Sequence, residues 1–392
     1  MTVKFIEPSD ERTQTFLTAV ADLPKGLPYS GKGGPLMIGK TTILFIWAAL
    51  SYYFALKSYA LWENWWITGL AFAHFGIALA FLTINVGHDA GHDAYSEKPW
   101  VNWVCGFMMS LTGGNIFSWR TQHGLHHKHT NIENADPDIS YGGLLRILSS
   151  EKWRPIHKYQ YIYVWFLYLG AGLQIIWVSD FLLFCTGKIR TVAVEIPTRE
   201  YFIYIAWKII HVLLFYVIPS LVLQEWLYTV IMYFCMVTAA GYLMAILFQM
   251  AHVVDMTQFV LVVDPGKKND LTHIEQLAHE ANANEVVVIV ASSESEVEIK
   301  NAWIIHEILT TADISPENKV MAWFFGGLTM QIEHHLFPHI CHLYYGRIQK
   351  NLARLCQAYE IPYYVCSSFV DGIRRHARKL KMMGRKPQLL TA

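Results

Sequence analysis

Apolar residues crowd into four stretches, at about residues 41–59, 66–87, 201–223 and 226–251. Each is close to the ~20 residues that a helix needs to cross a bilayer. They come in pairs. Trp62 to Trp66 separates the first two, and Pro219 with Gln224 and Glu225 marks the turn between the second two. Tryptophan at such a turn suits the boundary between lipid and water. The pattern predicts an all-α integral membrane fold, with four transmembrane helices in two hairpins and a cytoplasmic helical cap. Residues 1–35 are polar and then rich in Gly and Pro, which predicts an N-terminal cytoplasmic arm. The membrane domain is expected over 36–370 and a basic C-terminal tail over 371–392.

Two further stretches are apolar but broken. Trp100 to Trp119 carries Gly106, Gly113 and Gly114, and a re-entrant or buried segment is expected there. Residues 159–186 are aromatic and interrupted by Gly170 and Gly172. Lys152, Arg154 and Lys158 precede them and Lys188 and Arg190 follow, so an interfacial helix pair fits better than one crossing. From Asp255 the chain turns polar. A turn is expected at Gly266, a strand or extended segment from Glu285, a helix over 301–311 and another opening at Ser315-Pro316.

Composition agrees with a membrane protein. Charged residues make up 16% of the 392, against roughly a quarter in soluble domains, and mean hydropathy is +0.26. The formal net charge is zero, so nothing global invites nucleic acid. The six cysteines form no C-x-x-C pair, and acids in the first residues argue against a cleavable signal peptide. Four spans would return both termini to one side. Nearly all Lys and Arg fall on that side, so the positive-inside rule makes it cytoplasmic.

The candidate chemistry sits at the ends of the spans. His88 and His92 are four residues apart, His123, His126 and His127 occupy i, i+3 and i+4, and Gln331, His334 and His335 repeat that spacing. On a helix such positions share one face. Seven imidazoles exceed what one ion takes, so the spacing predicts a two-metal centre. His252, at the end of the fourth stretch, is the eighth candidate ligand. Imidazole suits Fe, Zn, Cu or Ni, and a closed structural zinc site would need only four ligands. Asp89, Asp93, Asp138 and Glu333 are candidates to orient the rings through their far nitrogens. His129 could be a ligand, a ring-orienting neighbour or a surface residue, and His339 and His342 are candidates for ring-orienting neighbours. His74, His157, His211 and His376 read as structural, and His273, His279 and His306 as surface residues. Phe72, Gly76, Phe81, Tyr242 and Phe248 are candidates to line an apolar tunnel, and Lys152, Arg154 and Lys158 to hold a phosphate-bearing group.

HDAGH, HGLHH and QIEHH, in that order between hydrophobic hairpins, resemble the histidine boxes of the membrane fatty acid desaturases. A third box opening on Gln331, within FFGGLTMQIEHHLFPHI, is similar to the front-end subgroup, which includes sphingolipid desaturases. The resemblance covers roughly residues 35–370. It implies two iron ions held by the seven box histidines and a further ligand that His252 fits. It also implies dioxygen as co-substrate, and an acyl-CoA or lipid-linked acyl chain that gains a cis double bond. The His-Pro-Gly-Gly haem motif of fused cytochrome b5 domains is missing from the sequence. Electrons are therefore expected from a separate ferredoxin or cytochrome b5. A hydroxylase on the same scaffold and a polytopic metal transporter are the alternatives.

Overall fold

The computed structural model describes residues 2–190, 192–263, 285–289 and 296–387. Four helices are long and apolar enough to cross a membrane. In chain order the first helices are α1 (Glu11–Ala21), α2 (Gly34–Trp62), α3 (Trp65–Gly91), α4 (Pro99–Gly106) and α5 (Ile116–Lys128). Then come α6 (Pro155–Leu169), α7 (Ala171–Thr186), α8 (Thr198–Leu223) and α9 (Trp226–His252). Beyond the last long helix lie α10 (Trp303–Thr310), α11 (Lys319–Phe324), α12 (Gln331–Leu336), α13 (Tyr345–Tyr359) and α14 (Phe369–Met383). The long ones are α2, α3, α8 and α9, each close to its expected stretch.

Small residues let these helices approach. On α2 the buried positions Ala48, Ser51, Ala55 and Ser58 form one stripe, while Ile43, Phe45, Ile46, Leu50 and Phe54 point outward. Gly76 of α3 lies so close to α9 that a Cβ there would run into the Met236 carbonyl. Trp65 stacks between Tyr59, at 3.9 Å, and Tyr228, at 4.2 Å, and so joins the ends of α2, α3 and α9. Thr83–Gly87 is a π-helical turn within α3, immediately before His88. Such turns re-aim the side chains that follow and often mark functional sites. Asn85 steadies it by donating to the Phe81 and Phe324 carbonyls, both at 2.7 Å.

The all-α expectation needs correction, because the molecule is mostly helical but carries short sheets. The strands are β1 (Thr2–Phe5), β2 (Lys188–Ile189), β3 (Val192–Ala193), β4 (Phe259–Val263), β5 (Glu285–Ile289), β6 (Glu296–Ile299), β7 (Asp313–Ile314) and β8 (Val365–Cys366). They pair β1 with β6, β4 with β5 and β7 with β8 in parallel, and β2 with β3 antiparallel. Segments too short to signal a strand by themselves find backbone partners far away in sequence, as Thr2 does opposite Glu296. The N-terminal residues are thereby folded onto the segment beyond α9. Phe16 and Val20 of α1 are fully buried there with Ile308, Met330, Ile348 and Leu352.

Other expectations shift as well. The stretch from Trp100 to Trp119 is broken into short helices that bury Asn102, Gly106, Met109, Ser110, Gly113, Asn115 and Ser118 and leave Trp100 and Trp103 exposed. α6 and α7 form a pair bent by 56° at Gly170. The boundary expected at residue 371 falls inside α14, which packs on α6 and α9 and buries His376, Leu380 and Met383. The helix expected at Ser315 opens instead after Asn318, whose side chain accepts from the Met321 amide. Ser315 sits at φ 48° in a turn. The turn expected at Gly266, and His273 and His279, lie outside the described residues.

Candidate metal centre

Four elements deliver the histidines. The last turn of α3 carries His88, with His92 one turn on, and α5 carries His123, His126 and His127. His252 closes α9, and His334 and His335 lie on α12. The fold brings all eight together. The ligand nitrogens of His88, His92, His123 and His334 lie within 4.8 Å of one another, as do those of His126, His252 and His335. His127 sits between the groups. Its Nε2 is 3.0 Å from His123 Nε2 and 2.9 Å from His334 Nε2, and its ring stacks on His335 at 4.2 Å. His126 Nε2 and His252 Nε2 are 3.3 Å apart.

These nitrogens fit metal ions better than they fit each other. Nε2 of His88, His92 and His335 is buried with no hydrogen-bond partner among the described residues. An unsatisfied buried polar atom costs about 1–3 kcal/mol, so such a cluster is costly without a ligand. The donor set is imidazole throughout, which suits borderline transition metals. Burial, reinforced by neighbouring imidazoles, holds His92, His123, His127, His334 and His335 well below the usual histidine range. They are therefore neutral at physiological pH, as ligands must be.

Three of the far nitrogens are held by oxygen. His126 Nδ1 donates to Asp136 at 2.9 Å, His335 Nδ1 donates to Glu307 at 2.8 Å, and His334 Nδ1 lies 3.2 Å from the Tyr345 hydroxyl. Each contact fixes a tautomer that turns Nε2 inward. Burial would lower His126, but the Asp136 carboxylate outweighs it and holds the group up at about 9. As a ligand, His126 would keep Nδ1–H on Asp136 and give up its Nε2 proton when a metal ion binds. Burial drives the Glu307 carboxyl well above its usual range, and His335 and the Thr130 hydroxyl, at 2.8 Å, both donate to it.

The acids expected in this role are mostly elsewhere. Asp89 binds His342, Asp93 pairs with Arg120, and Glu333 accepts from Tyr363. Only Asp138 approaches a box ring, 3.8 Å from His126 Nδ1, and its main partner is Gln122. Asp136 and Glu307 were the residues to find. The signal for Glu307 is a carboxylate inside the apolar run WIIHEIL. His306 is buried, not a surface residue, and its Nε2 donates to the Thr130 carbonyl at 2.8 Å, bracing the loop after α5. Gln331 is buried with its amide nitrogen unpartnered among the described residues. His129 lies outside both groups and His339 is exposed.

His157, His211 and His376 are buried and hydrogen-bonded, as structural histidines are, and His74 accepts from Trp47 at 3.2 Å. Of the tunnel candidates, Phe248 comes within 6.5 Å of the His123 ring, whereas Gly76 is committed to helix packing. Arg154 donates to the Gly143 carbonyl and Lys158 lies over Tyr159.

Comparisons agree with this geometry. The family model for fatty acid desaturases matches residues 60–367. The chain is 30% identical over 356 residues to an acyl-lipid (8-3)-desaturase of Physcomitrium patens, covering 89% of this chain and 67% of that one. It is 28% identical over 363 residues to an sn-1 linoleoyl-lipid 6-desaturase of Arthrospira platensis, covering 92% and 89%. It is 30% identical over 355 residues to an enzyme of the same name from a Synechocystis species, covering 90% of each. With its three histidine boxes gathered into one buried centre, this chain belongs to the fatty acid desaturase family.

Proposed function

We propose that the protein is a front-end acyl-lipid desaturase that holds two iron ions, one in each histidine group. The inward-facing, unpartnered nitrogens of His88, His92 and His335 carry this reading. When bound, the irons would supply dioxygen activation and the removal of hydrogen from an unactivated methylene. The chain's own residues hold and dry the site. The eight histidines ligate, and Asp136, Glu307 and Tyr345 keep the rings in register. The apolar helices above the centre place one methylene pair of the acyl chain near it. Electrons come from a separate carrier, a ferredoxin or cytochrome b5.

The acyl-lipid substrate follows from the printed activities of the relatives, the 6-desaturases and the (8-3)-desaturase. Gln331 opening the third box supports action between an existing double bond and the carboxyl end. The metal-transporter alternative falls with family membership.

The sidedness reading has its own support. The β1–β6 pairing and the Arg12–Glu360 contact put the N-terminus beside the segments after α9. That supports an even number of crossings between them. The isolated bridge between Ile132 and Val260 likewise keeps the loop after α5 with the segment after α9. The bent α6–α7 pair then dips into the membrane and returns, leaving α2–α3 and α8–α9 as two hairpins. The excess of Lys and Arg on the centre's side makes that side cytoplasmic.

The test is fatty acid profiling by mass spectrometry in a host without polyunsaturated lipids, fed linoleate, with His334→Ala as control. A product lighter by two hydrogens, absent in the control, with its new double bond on the carboxyl side of the existing ones, is expected. A product heavier by one oxygen would replace the desaturase with a hydroxylase.

A further inference from the structure

Beside the four-histidine group lies a second buried polar chain that the proposed chemistry does not use. Lys40 of α2, Asp89, Cys341 and His342 are each at most 4% exposed. Lys40 Nζ is 2.8 Å from His342 Nε2. His342 Nδ1 is 2.8 Å from Asp89 Oδ2, and the His342 amide also donates to that oxygen at 3.3 Å. The Cys341 thiol reaches the same carboxylate. The Lys40 ammonium also lies 5.1 Å from the Trp323 ring centre. Gly327, at φ +70°, backs onto His342 so closely that a Cβ would collide with the His342 Cβ.

Lys40 is taken as an ammonium and Asp89 as a carboxylate. An ammonium has only donors and a carboxylate only acceptors. His342 must therefore be neutral, with its proton on Nδ1 toward Asp89 and its lone pair on Nε2 toward Lys40. Asp89, Cys341 and His342 have the spacing of a cation site, but the Lys40 ammonium already supplies the positive charge. One cation, one anion and one neutral ring then leave the chain with no net charge.

Its position gives it a role. Asp89 adjoins His88 in sequence. His342 is three residues before Tyr345, whose hydroxyl holds His334. His88 and His334 are 4.5 Å apart, ring centre to ring centre, in the four-histidine group. The chain therefore ties the first long helix, the first box and the stretch after the third box to one another. Neither Asp136 nor Glu307, which serve His126 and His335, takes part.

We propose that Lys40, His342 and Asp89 form a positioning clamp specific to the four-histidine group, setting His88 against His334 and thereby that group's metal affinity. This rests on the two-metal reading. Groups hydrogen-bonded directly to ligand rings are typically worth about 10–100-fold in affinity, and the clamp acts on those rings one step further out, through the backbone. Lys40→Met keeps the length of the side chain but removes the ammonium.

The test is titration of metal-stripped, detergent-purified full chain with Co²⁺, read by its absorption bands, for the wild type, Lys40→Met, Asp89→Asn and Lys40→Arg. The wild type should take up two equivalents. Lys40→Met and Asp89→Asn should each lose about tenfold or more at one equivalent, with the bands of the other unchanged. Lys40→Arg, which restores charge and donor, should recover most of the loss. Unchanged affinity at both equivalents in Lys40→Met would overturn the clamp. So would an equal loss at both with a lowered melting temperature, which would make the chain a general structural tie. A wild type that binds no Co²⁺ would overturn the two-metal reading itself.

Discussion

A carboxylate on the outer nitrogen of a liganding imidazole fixes its tautomer and raises its basicity. Here the two carboxylates serve the same group. Asp136 holds His126 and Glu307 holds His335, and both rings belong with His252. Glu307→Ala would leave the His335 N–H only the Thr130 hydroxyl, 3.2 Å away. It is expected to weaken metal binding at the three-histidine group by about 10–100-fold while sparing the other group. Metal counting with Co²⁺ spectra checks this, and the pattern should be the mirror of Lys40→Met. If both groups empty together, the assignment of partners to groups is wrong. The histidines were legible in the sequence because helical spacing alone aligns them. Their partners were not, because Asp136 lies ten residues from His126 in a loop and Glu307 lies on another helix. Proximity in sequence favoured Asp89 and Glu333, which the turn of each helix points to His342 and Tyr363.

Elements were legible where one period ran long. The four long helices needed only their apolar length, whereas two-residue strands such as β7 and β8 exist only through each other. α14 shows how a basic stretch can nonetheless be packed. His376 on its inner face donates from Nδ1 to the Val253 carbonyl at 2.7 Å and accepts from the Tyr168 hydroxyl at 2.8 Å. Burial lowers it from the usual 6.5 to about 4. The folded group stays neutral where the unfolded one is protonated. Its share of stability is thus complete above 6.5 and is lost as pH falls toward 4. The shift corresponds to roughly 3 kcal/mol at most. Thermal melting against pH should show that slope, and His376→Gln should flatten it between 6.5 and 4. An unchanged slope would assign the acid sensitivity elsewhere. Helix contact is equally exacting at Gly76, where even Ala would push α3 from α9. Overpacking of this kind typically costs about 1–3 kcal/mol, so Gly76→Ala should melt earlier than wild type. Because α3 carries His88 and α9 carries His252, it should also bind metal more weakly at both groups.

At the scale of the molecule, the question is how many times the chain crosses the membrane. Apolar length allows four spans, or five if the bent α6–α7 pair counts as one. Five would put the two ends of the chain on opposite sides, and the β1–β6 pairing favours the four proposed above. The sequence favoured the same answer through the basic residues flanking the pair, Lys152, Arg154, Lys188 and Arg190. The glycines at 170 and 172 marked the break, but the strand pairing could not be read from the sequence. α7 accommodates its path by close packing, since a Cβ on Gly172 would strike the Val237 carbonyl of α9. Single cysteines placed in a cysteine-free background and treated with a membrane-impermeant thiol reagent decide the matter. A cysteine at Glu63 or Gln224, in the turns between paired helices, should label from outside intact cells. One at Gly143 or Lys188, before and after the bent pair, should label only once the cytoplasmic side is opened. Labelling of Lys188→Cys from outside would make the pair a fifth span. It would also carry the start of α8 away from the histidines, and the shared side of the three boxes would no longer follow from the order of the helices.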